Sequence, residues 1–219
     1  MTHLPHLRSS ASHPLRLFWT FAGAMLVLCA CVVWRSPDVN GVRALIRTTA
    51  RTSLVFFAMA YGAQAMFSLW PGQATRWLRQ HRRQWGWLLV LSHTLHGAGI
   101  LAFVWMDPVQ FMQRTPMLTL ITGGVAYVWL GLMGATSFDR SAAWLSPAAW
   151  QRLHRWGSHY LWLSFLVAFA KRVPQDPVYG VPVVCLVVLM ALRWWSGRQA
   201  LVRHPITCLL YTSDAADER

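Results

Sequence analysis

The chain has 219 residues, 55% of them hydrophobic and only 12% charged, with a formal net charge of +13. Soluble domains carry about a quarter charged residues, so this composition argues against an ordinary soluble domain and for a chain that lives in a lipid bilayer. The positive charge does not imply nucleic acid. Nearly all of it is arginine at the ends of apolar stretches and in short loops, which is a topology signal before it is a binding patch.

In chain order, six apolar stretches reach or approach the roughly 20 helical residues needed to cross a hydrocarbon layer. They are 17–34, 48–70, 85–105, 117–138, 149–170 and 178–195. Each is continuously apolar instead of alternating, which predicts helices and not barrel strands. Trp19, Trp34, Trp70, Trp85, Trp105, Trp150, Trp194 and Trp195 fall near the predicted ends, where amphipathic rings prefer to sit. The first stretch has a basic flank, but no small-residue cleavage site precedes Trp34 and Arg35, so it reads as a retained helix. The expected fold is an all-α integral membrane protein, a six-transmembrane-helix bundle over residues 17–198. Tails of 1–16 and 199–207 flank it. Residues 208–219, CLLYTSDAADER, break the composition and hold three of the seven acidic residues. They read as the translation of a sequencing adaptor, outside the fold, which leaves the natural C-terminus beyond Thr207 open.

Basic residues on alternate sides of such a bundle number twelve against seven, which predicts both termini in the cytoplasm. The twelve include Arg16, Arg76, Arg79, Arg82, Arg83, Arg152, Arg155, Arg193 and Arg198. Arg43, Arg47 and Arg51 run against the count.

Two of the stretches carry paired histidines. RRQWGWLLVLSHTLHGAGILAFVW places His93 and His96 well inside the third, and SPAAWQRLHRWGSHYLWLSFLVAF places His154 and His159 in the fifth. Ionisable side chains inside spans are rare and face a bundle interior, a cavity or a cofactor. Imidazole is also a common iron ligand, and a helical bundle a familiar place to hold haem. Cys29, Cys31 and Cys185 form no C-x-x-C-H attachment pattern, so any haem is non-covalent and b-type. Asp38, Asp107, Asp139 and Asp176 all lie in predicted loops, which leaves no carboxylate for an intramembrane proton relay or paired-carboxylate catalysis. No dinucleotide, P-loop or serine-elbow motif occurs. Electron transfer fits this inventory, with His93, His96, His154 and His159 as candidate iron ligands. The alternative is a non-redox assembly or interaction subunit whose histidines hydrogen-bond between helices. His3, His6, His13, His81 and His204 lie outside the stretches and are not candidates.

Depth orders the four. From a start near Trp85, His93 lies roughly 12 Å and His96 roughly 17 Å into the third helix. Ser146 and Pro147 predict the N-cap and first position of the fifth; His154 is then close to the interface and His159 roughly 7 Å deeper. Depth alone therefore pairs His93 with His159. Gly97 and Gly99 allow a flat macrocycle or a neighbouring helix to come close to His96.

Three motifs, R-T-T-A-R-T-S (residues 47–53), R-R-x-x-G-x(9)-H (82–96) and W-Q-R-L-H-R (150–155), give the chain a resemblance to the ferric-reductase-like transmembrane domain family. That family includes the haem-binding membrane subunit of the bacterial methionine sulfoxide reductase system and, distantly, the NADPH oxidases. The resemblance covers roughly residues 43–170. It implies six spans in a bacterial inner membrane and b haem held by histidines of the third and fifth spans. It also implies electron passage from a separate flavin reductase or quinol to an outer-face acceptor such as Fe(III) or a periplasmic oxidoreductase. By motif position His96 and His154 match haem ligands, and Arg47 and Arg51 would face haem propionates. The family's further histidine, about four turns after His154, is here Val167, so the usual outer partner of His96 is absent and one haem is expected. No flavin or nicotinamide site is expected in the chain itself.

Overall fold

A computed structural model of the chain describes residues 15–203, apart from the side chains of residues 139 and 200–203. Most of the predicted N-terminal tail, including His3, His6 and His13, lies outside the described residues, as do His204 and the segment 208–219. The described residues are almost wholly helical and contain no strand. Among them nine α-helices follow in order: α1 Arg16–Arg35, α2 Val39–Leu69, α3 Gln73–Gln80, α4 Arg82–Met106, α5 Pro108–Arg114, α6 Met117–Ala135, α7 Asp139–Ala142, α8 Pro147–Ala170 and α9 Gly180–Arg203.

Among the described residues, five segments are long and apolar enough to cross a membrane: α1, α2, α4, α6 and Pro177–Gln199, which takes in a 3-10 turn and most of α9. The sixth expected span, α8, has the length, at 24 residues. Its first half, however, holds Gln151, Arg152, His154, Arg155, Ser158 and His159, which lowers its hydropathy below that of the other five. Helix α2 begins nine residues before the predicted start at Thr48 and runs for 31 residues. At 1.5 Å per residue that is about 46 Å, against roughly 30 Å of hydrocarbon, and Arg43 and Arg47 join Arg51 within the helix and not in a preceding loop.

The helix ends follow from local chemistry. Ser146 caps α8, its hydroxyl accepting from Ala149 N–H at 3.2 Å, with Pro147 at the first helical position, as the sequence predicts. Three carboxylates serve backbone amides in the same way. Asp38 accepts from Gly41 N–H at 3.0 Å, Asp107 from Gln110 N–H at 2.8 Å and Asp176 from Val178 N–H at 3.0 Å. These acids are thereby committed to holding turns. Gly41 is required in the tight α1–α2 connection, because a Cβ there would collide with the Ser36 carbonyl.

The chain divides into two compact units, Met1–Phe57 with Arg83–Ile121, and Ala58–Arg82 with Thr122–Arg219. In the first, Val42, Phe103 and Phe111 form a buried cluster, against which Ile46, Ile100 and Leu120 pack. A second contact stacks Phe56 on Trp85 at 6.3 Å, with Phe21 edge-on to both. Gly99 lets α2 approach α4: a Cβ there would meet Ile46 Cγ1 at 3.1 Å and Leu45 Cδ2 at 3.6 Å. The small residue beside His96 is thus used by a neighbouring helix. In the second unit α8 packs on α9, and Trp162 Nε1 donates to Leu186 O at 2.9 Å. Gly157 admits Met133 and Trp129 of α6. Large apolar side chains such as Leu101, Val128 and Val181 point outwards. Between helices in hydrocarbon the driving force is packing and polar contact, not withdrawal of apolar surface from water.

Candidate functional site

Histidines 93 and 96, three residues apart on α4, stack with ring centroids 5.1 Å apart and planes at 29°. Both face hydroxyl groups of α2. His96 Nδ1 lies 3.0 Å from Ile46 O and 3.2 Å from Thr49 Oγ1. A carbonyl oxygen can only accept, so Nδ1 carries the proton and Nε2 the lone pair. Thr49 gives its own proton to Leu45 O at 2.7 Å, which makes its oxygen a second acceptor for the same N–H.

The same reasoning fixes His93, whose Nδ1 lies 3.3 Å from Ser53 Oγ. Ser53 donates onward to Ser92 Oγ at 3.0 Å, and Ser92 to Thr49 O at 3.2 Å. With its proton used there, Ser53 accepts from His93 Nδ1–H. Thr52 joins the chain at 2.7 Å from Ser92. Thr49, Ser53 and Ser92 are fully buried, and an unpaired hydroxyl in such surroundings is costly. This polar seam therefore fixes the rotation of α4 against the first half of α2. Sequence reading passed over Thr49, Ser53 and Ser92. The available signal was the hydroxyl spacing of R-T-T-A-R-T-S, where Thr49 and Ser53 are four apart and share a helix face.

His154 and His159 belong to the second unit. His154 stacks on Trp150 with centroids 4.1 Å apart. Its Nε2 lies 3.1 Å from Thr136 Oγ1, whose proton goes to Leu132 O at 2.7 Å. Here Nε2 is the donor, and the lone pair sits on Nδ1, the reverse of His96. His159 Nδ1 lies 3.1 Å from the hydroxyl of Tyr61, a buried residue whose oxygen is also 3.5 Å from Met190 Sδ. Imidazole nitrogen is a better acceptor than a thioether, so the hydroxyl has two alternative directions.

Arg47 and Arg51 are exposed on α2. They lie about 200° around the helix from Thr49 and Ser53, which face α4. Among the described residues no group of three or more His, Cys, Asp or Glu could hold a metal ion. A bare divalent cation therefore has no three-ligand cage there. Haem iron, already bound by four porphyrin nitrogens, needs only axial imidazole. His96 fits that role best: metal-ligating histidines almost always donate the other ring N–H to a carbonyl, carboxylate or water, which holds the ring and raises its basicity. His93 has the same protonation with a weaker acceptor, whereas His154 would have to release Thr136 and turn.

In comparisons with known proteins, no family model, no curated protein and no solved structure matches this chain.

Proposed function

We propose that the chain is a multi-pass membrane electron-transfer protein with one b-type haem, and that His96 is its principal axial ligand. The observation that carries the reading is the approach of His96 Nδ1 to the Ile46 carbonyl oxygen at 3.0 Å, which assigns the proton to Nδ1 and the lone pair to Nε2. Haem bound there would supply one-electron redox chemistry, while the protein orients the imidazole, excludes water and sets the local field. The motif resemblance extends the proposal to six crossings of a bacterial inner membrane with both termini cytoplasmic. A separate flavin reductase or quinol is the donor, and Fe(III) or a periplasmic oxidoreductase the acceptor. The motif resemblance assigns the second axial position to a histidine of the fifth predicted span, His154 or His159, since His93 shares the α4 face of His96 and cannot bind the opposite side of one iron.

The test is the reduced-minus-oxidised visible spectrum and haem stoichiometry of purified protein expressed with ample haem. A b-type spectrum near one haem per chain supports the reading, and a colourless, folded protein overturns it. That second outcome favours an interaction subunit, for which the same bonds are interhelical fastenings, worth about 0.6 kcal/mol each on average between membrane helices.

A further inference from the structure

We propose that Arg82 and Arg193 form a binding site for the phosphate of an anionic phospholipid. The two guanidiniums converge on consecutive carbonyls of α2: Arg82 Nε donates to Ala60 O at 3.1 Å and Arg193 Nη1 to Tyr61 O at 2.8 Å. All four residues belong to the second unit. Arg193 also lies over the Tyr61 ring, 4.1 Å from its centroid, which fixes its position further. Each bond uses one N–H of a guanidinium that has five. Neither arginine is paired with a carboxylate among the described residues.

Two like charges held against adjacent carbonyls repel each other, and the Arg193 charge bears directly on Arg82. Arg155 and Arg193 both bear on His159, and Arg82 on His154, so Arg155 adds a third positive charge to the same neighbourhood. Backbone carbonyls offset only part of that charge. A phosphate bridging the remaining N–H groups would complete it through charge-assisted, partly bidentate bonds.

Lipid is favoured over a free anion by what flanks the pair. Trp194 and Trp195, next to Arg193, are more than half exposed, and such rings settle at headgroup level. Arg198 covers the Trp194 ring at 3.5 Å. Arg82 is itself exposed at the first residue of α4, where a lipid can reach it from the side.

The experiment uses full-length protein in mild detergent, with lipid retention measured by native mass spectrometry. Probes are phosphatidylglycerol, phosphatidylcholine and inorganic phosphate. Wild type should retain phosphatidylglycerol over phosphatidylcholine, and inorganic phosphate should not displace it. Arg82→Gln and Arg193→Gln should each weaken retention about tenfold, the loss expected for one charged hydrogen-bonding partner. The double variant should show no preference. Arg172→Gln, which removes the same charge from another part of the unit, should behave as wild type. Equal retention of both lipids by wild type overturns the proposal without any variant. So does a preference that survives in the double variant, or displacement by inorganic phosphate, which would mark a free-ion site. If the glutamine variants aggregate, the Arg82→Lys/Arg193→Lys pair decides: it keeps the charge but loses the fork, and undiminished preference there overturns bidentate recognition. Haem content has no part in this readout, so the inference stands or falls apart from the haem reading.

Discussion

The histidine pairs of the two units look alike in sequence and are held differently. On α4 both rings give their Nδ1 protons to acceptors of α2, whereas His154 on α8 gives its Nε2 proton to Thr136. Position in a span therefore does not decide which ring nitrogen carries the proton; the group that holds the ring does. Position alone ranks His96 with His154 and depth alone ranks His93 with His159. Protonation instead separates the α4 pair from His154 and leaves His159 dependent on the direction of one tyrosine hydroxyl.

The largest expected effect follows from that separation. His96→Ala should lower haem content the most, because no Met, Cys or Tyr of the same helix turn replaces its iron–nitrogen bond and His93 has only the weaker acceptor behind it, whereas His154→Ala should leave a substantial part of the haem in place. Haem stoichiometry on the two purified variants measures it. Equal loss from both would abolish the distinction drawn between the units, and loss only from His154→Ala would reverse it.

The groups that hold the rings sharpen the same contrast. Removing a partner behind a metal-bound histidine typically costs about 10–100-fold in affinity. Thr49→Val should weaken haem retention towards the lower end of that range, since the Ile46 carbonyl still holds His96, and Ser53→Ala by less, since Ser53 holds His93. Thr136→Val should leave haem affinity unchanged or raise it, because it releases His154 Nε2. Haem titrations of the apoprotein give the comparison, and a Thr136→Val loss as large as that of Thr49→Val would contradict it.

Glycines test the packing of each unit separately. Gly157→Val in the second unit would meet the Met133 thioether and, at 3.1 Å for the Cβ alone, Trp129 Cε3. Overpacking of this kind costs typically 1–3 kcal/mol. Gly99→Ala in the first unit meets only Ile46 Cγ1 at 3.1 Å and Leu45 beyond it, and the helix gains up to about 1 kcal/mol of propensity. Thermal unfolding in detergent should therefore show a clear loss for Gly157→Val and little change for Gly99→Ala. The opposite order would place the tighter helix contact in the first unit.

Much of the architecture was legible in the chain, and the reasons are local. Ser146 and Pro147 announce α8, and apolar length announces α1, α4, α6 and α9. The start of α2 was missed because Arg43, Arg47 and Arg51 read as an interface, although helix continuity is decided by the Asp38 cap and not by polarity. Helices α3 and α5 were missed because eight and seven residues are too few to show a period. The candidate histidines were visible by their rarity in apolar sequence. Their protonation was not, because it is set by Thr49, Ser53, Tyr61 and Thr136, most of them 40 or more residues away. Only the hydroxyl spacing of residues 49 and 53 hinted at it.

The smallest effect concerns the turn ahead of α2. Hydrogen bonds from Gly41 N–H and from the Asn40 amide hold the Asp38 carboxyl below its ordinary value of 3.8. A group whose value is lowered by folding contributes stability that is fully present above its unfolded value and is lost as pH falls through the folded one. Acidification below about pH 4 should therefore destabilise the native chain partly through Asp38. Asp38→Asn keeps an oxygen that can accept from Gly41 N–H but has no proton to take up. Its stability should be slightly below wild type at neutral pH, because the charge on the helix terminus is gone, and its acid-side decline should be shallower. Melting temperatures across pH 3–6 in one detergent measure both slopes. Parallel curves for wild type and Asp38→Asn would show that the cap acts through geometry alone, with no contribution from charge.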